Sequence, residues 1–296
     1  MTHQEFNFDF YDTNFYGQFW KPENEKSIKA VVIIVHGMGE HSGRYQDVAQ
    51  KLTDANFGVI SFDHFGHGKT TGKRGHNPGF DVVLESISKV IEKASEVFGD
   101  KPQFLYGHSM GGNAVVNYAL RKKNLPKNIL KNKNLIGVVA TSPMLKLAFT
   151  PPAWKLTLGR ILQKIAPSLT LSNELNPADM SRDIFEVQKY LDDPLVHNKI
   201  SPNFSLSFID SGKWAIENAK SLEIPMLVVH GTADKIIDYK GSEAFANATN
   251  NATLKLYKGG YHELQHDLCK NQMLQDVVYW LENQLKNQLK IKKASK

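Results

Sequence analysis

Phe104-Leu105-Tyr106-Gly107-His108-Ser109-Met110-Gly111-Gly112 reads as a strand, a sharp turn and a helix, with a serine at the apex of the turn. A serine held in a strained turn needs neighbours without side chains on both sides. The G-x-S-x-G spacing supplies them as Gly107 and Gly111. By composition the bare pattern arises in roughly one chain of this length in ten, so the surrounding sequence decides whether Ser109 is a nucleophile.

Outward from that stretch, Ala30 to Val35 is a continuous β-branched run, as expected of a strand covered by helices on both faces. Gly58 to Phe62, Gln103 to Tyr106, Leu135 to Ala140, Met226 to Val229 and Thr253 to Tyr257 are further strand candidates. Phe6 to Phe10 and Phe15 to Trp20 alternate aromatic and polar residues around Asp12-Thr13-Asn14 and read as an antiparallel hairpin at the sheet edge. Helical patterns fall between: Tyr45 to Asn56, Val82 to Phe98, the segment from Ser109 through Arg121, and Leu268 to Leu289. Strands alternating with helices predict an α/β protein with a mostly parallel eight-stranded sheet and helices on both faces.

The alternation breaks in residues 143–222, where Pro143, Pro151, Pro152, Pro167, Pro177, Pro194 and Pro202 punctuate short helices with no convincing strand. This predicts a helical cap inserted into a core made of residues 1–142 and 223–296. Within it Trp154, Leu158, Ile161, Leu162 and Ile165 share one helical face. Such a face suits either a helix packed on the core or a lid that lines an acyl pocket or touches lipid.

Composition excludes several classes. The 296 residues are 41% hydrophobic and 22% charged, ordinary for a globular protein with a substantial core. One cysteine, Cys269, leaves no internal disulfide and fits a reducing compartment. The sequence from Met1 lacks a basic segment followed by an apolar run, and no stretch approaches the ~20 apolar residues of a membrane-spanning helix. A cytoplasmic protein is therefore expected. Five of the +6 excess charges lie in a lysine tail, Lys286, Lys290, Lys292, Lys293 and Lys296, expected to be frayed and solvated, so the body is nearly neutral and nucleic-acid binding is not expected.

A serine hydroxyl attacks only with a base, an orienting acid and donors for the oxyanion. In a wound sheet these groups lie on loops at the carboxyl ends of strands. His262 follows the Thr253 to Tyr257 strand through Lys258-Gly259-Gly260-Tyr261, and Asp234 follows the strand ending Val228-Val229-His230, giving the order Ser, acid, His. His266 is a second candidate base, and His108 reads as packing. Asp238 competes with Asp234, but it precedes the Lys240 to Ala248 helix, where aspartate caps free amides. After Val35, His36-Gly37-Met38-Gly39-Glu40-His41 can turn its amides inward, making the backbone N–H groups of Met38 and Met110 the expected oxyanion donors. His64-x-x-His67 is too loose for a metal site, and no G-x-G-x-x-G opens a dinucleotide fold.

With those loops in place, His36 to Tyr45, Asp63-His64-Phe65-Gly66-His67-Gly68, Gly107 to Gly112, Tyr190-Leu191-Asp192-Asp193-Pro194 and His230 to Asp234 resemble the monoacylglycerol lipase family of the α/β-hydrolase superfamily. The resemblance covers about residues 8–285. It implies the α/β-hydrolase fold, a cap over an acyl pocket and a narrow exit for the glycerol end of the substrate. By position it implies Glu40, Arg44 and Tyr190 as polar groups near that glycerol. It also implies acyl transfer through Ser109, Asp234 and His262, with no metal or organic cofactor, on a lipid ester; the apolar face from Trp154 to Ile165 adds, separately, an expectation of peripheral membrane contact through the cap. Members of the family can carry a second histidine three residues after the catalytic one, where this sequence has Gln265. Related serine hydrolases acting on lysophospholipids, other short esters, thioesters or peptides share the elbow and triad; a non-catalytic binding protein of the same fold does not need them.

Overall fold

The computed structural model describes residues 1–121 and 134–294. The expected hairpin is β1 (Thr2–Phe10) and β2 (Thr13–Lys21), paired antiparallel in register from Thr2 opposite Lys21. Parallel strands follow: β3 (Ala30–Val35), β4 (Phe57–Phe62), β5 (Gln103–His108), β6 (Leu135–Thr141), β9 (Met226–Gly231) and β10 (Ala252–Tyr257). Among the described residues these form one eight-stranded sheet in the order β1-β2-β4-β3-β5-β6-β9-β10, with the hairpin at one edge. The antiparallel β2–β4 pair joins the hairpin to the parallel body.

The buried runs explain themselves through the two faces. In β3, Val31, Ile33 and Val35 join an apolar layer with α2 (Phe80–Phe98) and α3 (Met110–Arg121). Ala30, Val32 and Ile34 join the opposite layer, with α1 (Gln46–Asp54) and α8 (Lys270–Ala294). A strand covered on both faces has no polar side to show, so it reads as an unbroken apolar run.

Several helix ends differ from the sequence pattern by a few residues, two of them with a visible cause or consequence. Ser42–Tyr45 is a 3₁₀ turn whose leading His41 side chain accepts from the Gly43 amide, so α1 starts only at Gln46. At the other end α8 continues to Ala294 and takes Lys286 and Lys290 into the helix, where a frayed tail was expected. Lys296 lies outside the described residues.

The segment between β6 and β9 holds α4 (Ala153–Ile165), α5 (Ile184–Asp192) and α6 (Pro202–Glu217). It also holds a two-residue antiparallel pair, β7 (Leu171–Ser172) with β8 (Lys199–Ile200), where the proline-rich pattern predicted no strand. The apolar stripe of α4 is largely in solvent: Trp154 is 64% exposed and Ile165 73%. Packing on the core is thereby excluded for that face. A last helix, α7 (Tyr239–Asn247), follows β9. Among the described residues no helix is long and apolar enough to cross a membrane.

Candidate active site

Ser109 sits between the end of β5 and the first residue of α3 with φ of 54°, a left-handed conformation costly for a residue with a β-carbon. The turn is overdetermined by its surroundings. The Ser109 amide donates to the Thr141 carbonyl at 2.9 Å, and the Ser109 carbonyl accepts from the amides of Asn113 and Met144, each at 2.9 Å. Both flanking glycines are required by close approach. A β-carbon on Gly107 would lie 2.3 Å from the Gly111 carbonyl oxygen, and one on Gly111 only 2.1 Å from that of Val35. The helix start therefore leans directly on the end of β3, which brings the elbow against the loop that carries Met38.

The loops after β9 and β10 meet at the same point. His262 Nε2 stands 2.8 Å from Ser109 Oγ, and His262 Nδ1 stands 2.7 Å from Asp234 Oδ2. With an acceptor-only carboxylate on one side, the ring proton sits on Nδ1 and leaves the Nε2 lone pair for the serine hydroxyl. The His262 carbonyl accepts from Ser142 Oγ at 2.8 Å, which fixes its backbone. Asp234 Oδ1 accepts from the amides of Ile236 and Ile237 at 2.8 and 3.0 Å. Asp238 instead caps α7 by accepting from the Lys240 amide.

The electrostatics of this chain favour ion-pair formation on proton transfer. Burial opposes ionisation of Asp234, but the His262 charge, with hydrogen bonds from His230 and His262, outweighs it and holds the carboxyl far below the usual range. Burial likewise disfavours a charged His262. The Asp234 charge and hydrogen bond, followed by Glu263 and Glu40, outweigh that penalty and raise the imidazole above its ordinary value.

The other residues singled out in the sequence are also placed. His108 packs: its Nδ1 lies 3.0 Å from Thr141 Oγ1 and its ring centroid 4.9 Å from that of His262. His266 is not positioned as a base for Ser109, because its Nδ1 faces Glu263 and its Nε2 faces the Arg44 carbonyl, each at 3.0 Å. Glu40, Arg44 and Tyr190 do gather, but around one another. Glu40 accepts from the Gly37 amide, the Tyr45 hydroxyl and Arg44 at 2.6, 2.7 and 2.8 Å, and the Arg44 guanidinium lies 4.8 Å from the Tyr190 ring centre. Gln265 is buried, and among the described residues its amide has no hydrogen-bond partner.

Ser109, Met38 and Met110 open into a cavity of about 570 Å³ whose wall is mainly apolar and includes Leu158, Leu162, Leu206 and Ile237. Glu40, Arg44 and Tyr190 stand outside that wall among the described residues. Nor does any group of three or more His, Cys, Asp or Glu among them stand so as to hold a metal ion. The arrangement can activate a hydroxyl beside a chamber suited to a hydrocarbon chain.

Two contributors escaped the sequence reading. Glu263 grips Arg44 with both oxygens, at 2.8 and 2.7 Å, across 219 positions of chain. The Glu40–Arg44 spacing of four residues was the available local signal for half of that network. His230, inside β9, reaches Asp234, and no pattern in the stretch gave it a role.

The family described as Serine aminopeptidase, S33, matches residues 26–268. A monoacylglycerol lipase of Mycolicibacterium smegmatis is 31% identical over 270 residues, covering 90% of this chain and 92% of that protein. An uncharacterized abhydrolase domain-containing protein of Dictyostelium discoideum is 35% identical over 87% of this chain, which spans only 27% of that longer protein. Among solved structures, the monoacylglycerol lipase of Paleococcus ferrophilus is 33% identical with a TM-score of 0.79, covering 96% of this chain and 100% of that one.

Proposed function

Because the chain belongs to the serine aminopeptidase S33 family of α/β-hydrolases, and within it to the monoacylglycerol lipases, we propose that it hydrolyses monoacylglycerols to fatty acid and glycerol. The observation that carries this reading is the hydrogen-bonded line Ser109–His262–Asp234 opening into an apolar cavity of about 570 Å³. His262 takes the Ser109 proton as Oγ attacks the ester carbonyl, and Asp234 stabilises the imidazolium. The amides of Met38 and Met110 hold the oxyanion. The imidazolium then protonates the departing glycerol oxygen, and water, deprotonated by His262, releases the fatty acid. Residues 143–222 act as a cap over the acyl chain. Glu40, Arg44 and Tyr190 serve the glycerol side from outside the acyl cavity, and the bonds of Glu40 to the Gly37 amide and to Arg44 support a role in holding the Met38 loop rigid.

We read the exposed face of α4 as a contact with lipid, supported by Trp154, Leu158, Ile161 and Ile165, all more than a third exposed, of which Trp154 and Leu158 also line the cavity. Liposome sedimentation tests it: Trp154→Glu with Leu158→Glu should release the protein, and unchanged sedimentation refutes the contact.

The substrate is tested with purified protein on mono-, di- and triacylglycerols and lysophosphatidylcholine. Fatty acid should appear fastest from monoacylglycerol and be lost in Ser109→Ala. Equal rates on lysophosphatidylcholine would move the function to a lysophospholipase, and an unchanged rate in Ser109→Ala would sink the mechanism.

A further inference from the structure

Asp234 carries a second imidazole. His230 is fully buried in β9, and its Nε2 lies 3.1 Å from Asp234 Oδ2, the same oxygen that accepts from His262 Nδ1 at 2.7 Å. His230 Nε2 also stands 3.2 Å from the Ile237 carbonyl. Two acceptors on one ring nitrogen place the proton there. The other nitrogen, Nδ1, is 2.8 Å from Ser242 Oγ on α7, itself fully buried, so the ring cannot turn without breaking a contact at each end.

We propose that His230 is a positioning residue for the reaction: its Nε2–H fixes Asp234 Oδ2 on the line to His262 and limits how strongly that oxygen holds the His262 proton. With the two amides on Oδ1, Asp234 then accepts four donors and has no free rotation. An oxygen shared between two N–H donors is a weaker acceptor for each. The basicity of His262 therefore depends on a residue that touches neither substrate nor serine. The other groups that bear on His262 are Glu263, Glu40 and His108.

This rests on the serine-hydrolase reading of Ser109, so the assay uses a short chromogenic ester whose turnover needs the triad but not a monoacylglycerol. In His230→Leu, kcat should fall about tenfold to a hundredfold with KM little changed, as for a lost hydrogen bond to a charged group. The acidic limb of kcat/KM should move up by about one pH unit, because Asp234 then pulls harder on the imidazolium. His230→Gln keeps an N–H near the Nε2 position and should return the limb toward that of the parent chain. A limb unmoved in His230→Leu overturns the inference alone. No turnover by the parent chain, or turnover surviving Ser109→Ala, overturns the proposed function and this inference with it. If His230→Leu does not fold, ring-nitrogen NMR of the parent protein decides: protonated Nε2 on His230 supports the proposal, and Nδ1–H alone refutes it.

Discussion

Glu263→Gln removes one charge from a network that has almost no water to replace it. Glu263 is 4% exposed, meets Arg44 through two hydrogen bonds of 2.8 and 2.7 Å, and accepts from His266 at 3.0 Å. Breaking a buried pair by neutralising one partner costs about 3–5 kcal/mol, because the other charge stays buried. Arg44 retains Glu40 at 2.8 Å, so the lower end, about 3 kcal/mol, is expected. For a chain of this size that lowers Tm by about 6–12 °C. The pH dependence has a definite sign. Burial alone would raise the Glu263 carboxyl, but the Arg44 charge and hydrogen bonds hold it well below the ordinary range. A depressed folded value means the stability is present above the unfolded carboxylate value, about 4.3, and is lost as pH falls below it toward the folded one. Thermal unfolding from pH 8 to 3 should show a constant gap between parent and variant near neutrality, closing below about pH 4.3. The acidic limb of kcat/KM should also move to lower pH, since Glu263 helps raise His262. A Tm within about 2 °C of the parent at pH 7, or a gap that widens on acidification, would refute the reasoning.

In the parent enzyme, the base must be neutral in the free protein, and His262 is raised above its ordinary value. Hence kcat/KM should fall as pH drops through a limb above ~6.5; a pH–rate profile with its limb below that value contradicts the assignment of the base. Gly111→Ala puts a β-carbon 2.1 Å from the Val35 carbonyl oxygen and 2.4 Å from that of His36. Backbone must move, so a loss of at least about 1–3 kcal/mol is expected in thermal or urea unfolding, with kcat falling as well. Ile237→Trp fills part of the cavity wall. A panel of esters should show the preferred acyl chain shortening, and an unchanged chain-length profile would mean the acyl group lies elsewhere.

The elbow was legible because its requirements are local: Gly107 and Gly111 sit within two residues of Ser109, and the clashes they avoid are written into that spacing. The core strands were legible because β3 is buried throughout, so its apolar run needs no partner to be recognised. The stripe on α4 was only half legible. Periodicity shows that one face is apolar but not what it meets, and exposure of Trp154 and Ile165 is decided by where the segment between β6 and β9 sits. The Glu263–Arg44 pair lay beyond sequence reading, since its two halves lie on the loops after β3 and β10, which meet only across the ends of the intervening strands.

Asp234 and Asp238 show why the acid itself could be picked out while its environment could not. Both follow β9 and both accept backbone amides two residues on, Ile236 for one and Lys240 for the other. By local geometry they are equivalent turn residues. They diverge through distant partners: Asp238 meets Lys146 near the surface at 2.8 Å, whereas Asp234 is enclosed by two histidines, one from its own strand and one from the loop after β10. A surface ion pair is screened and changes little when broken. A buried carboxylate with four donors transmits any change in one donor to the others. Substitutions at His230, buried and silent in the sequence pattern, should therefore reach Ser109 more strongly than substitutions at Lys146, although neither residue touches it.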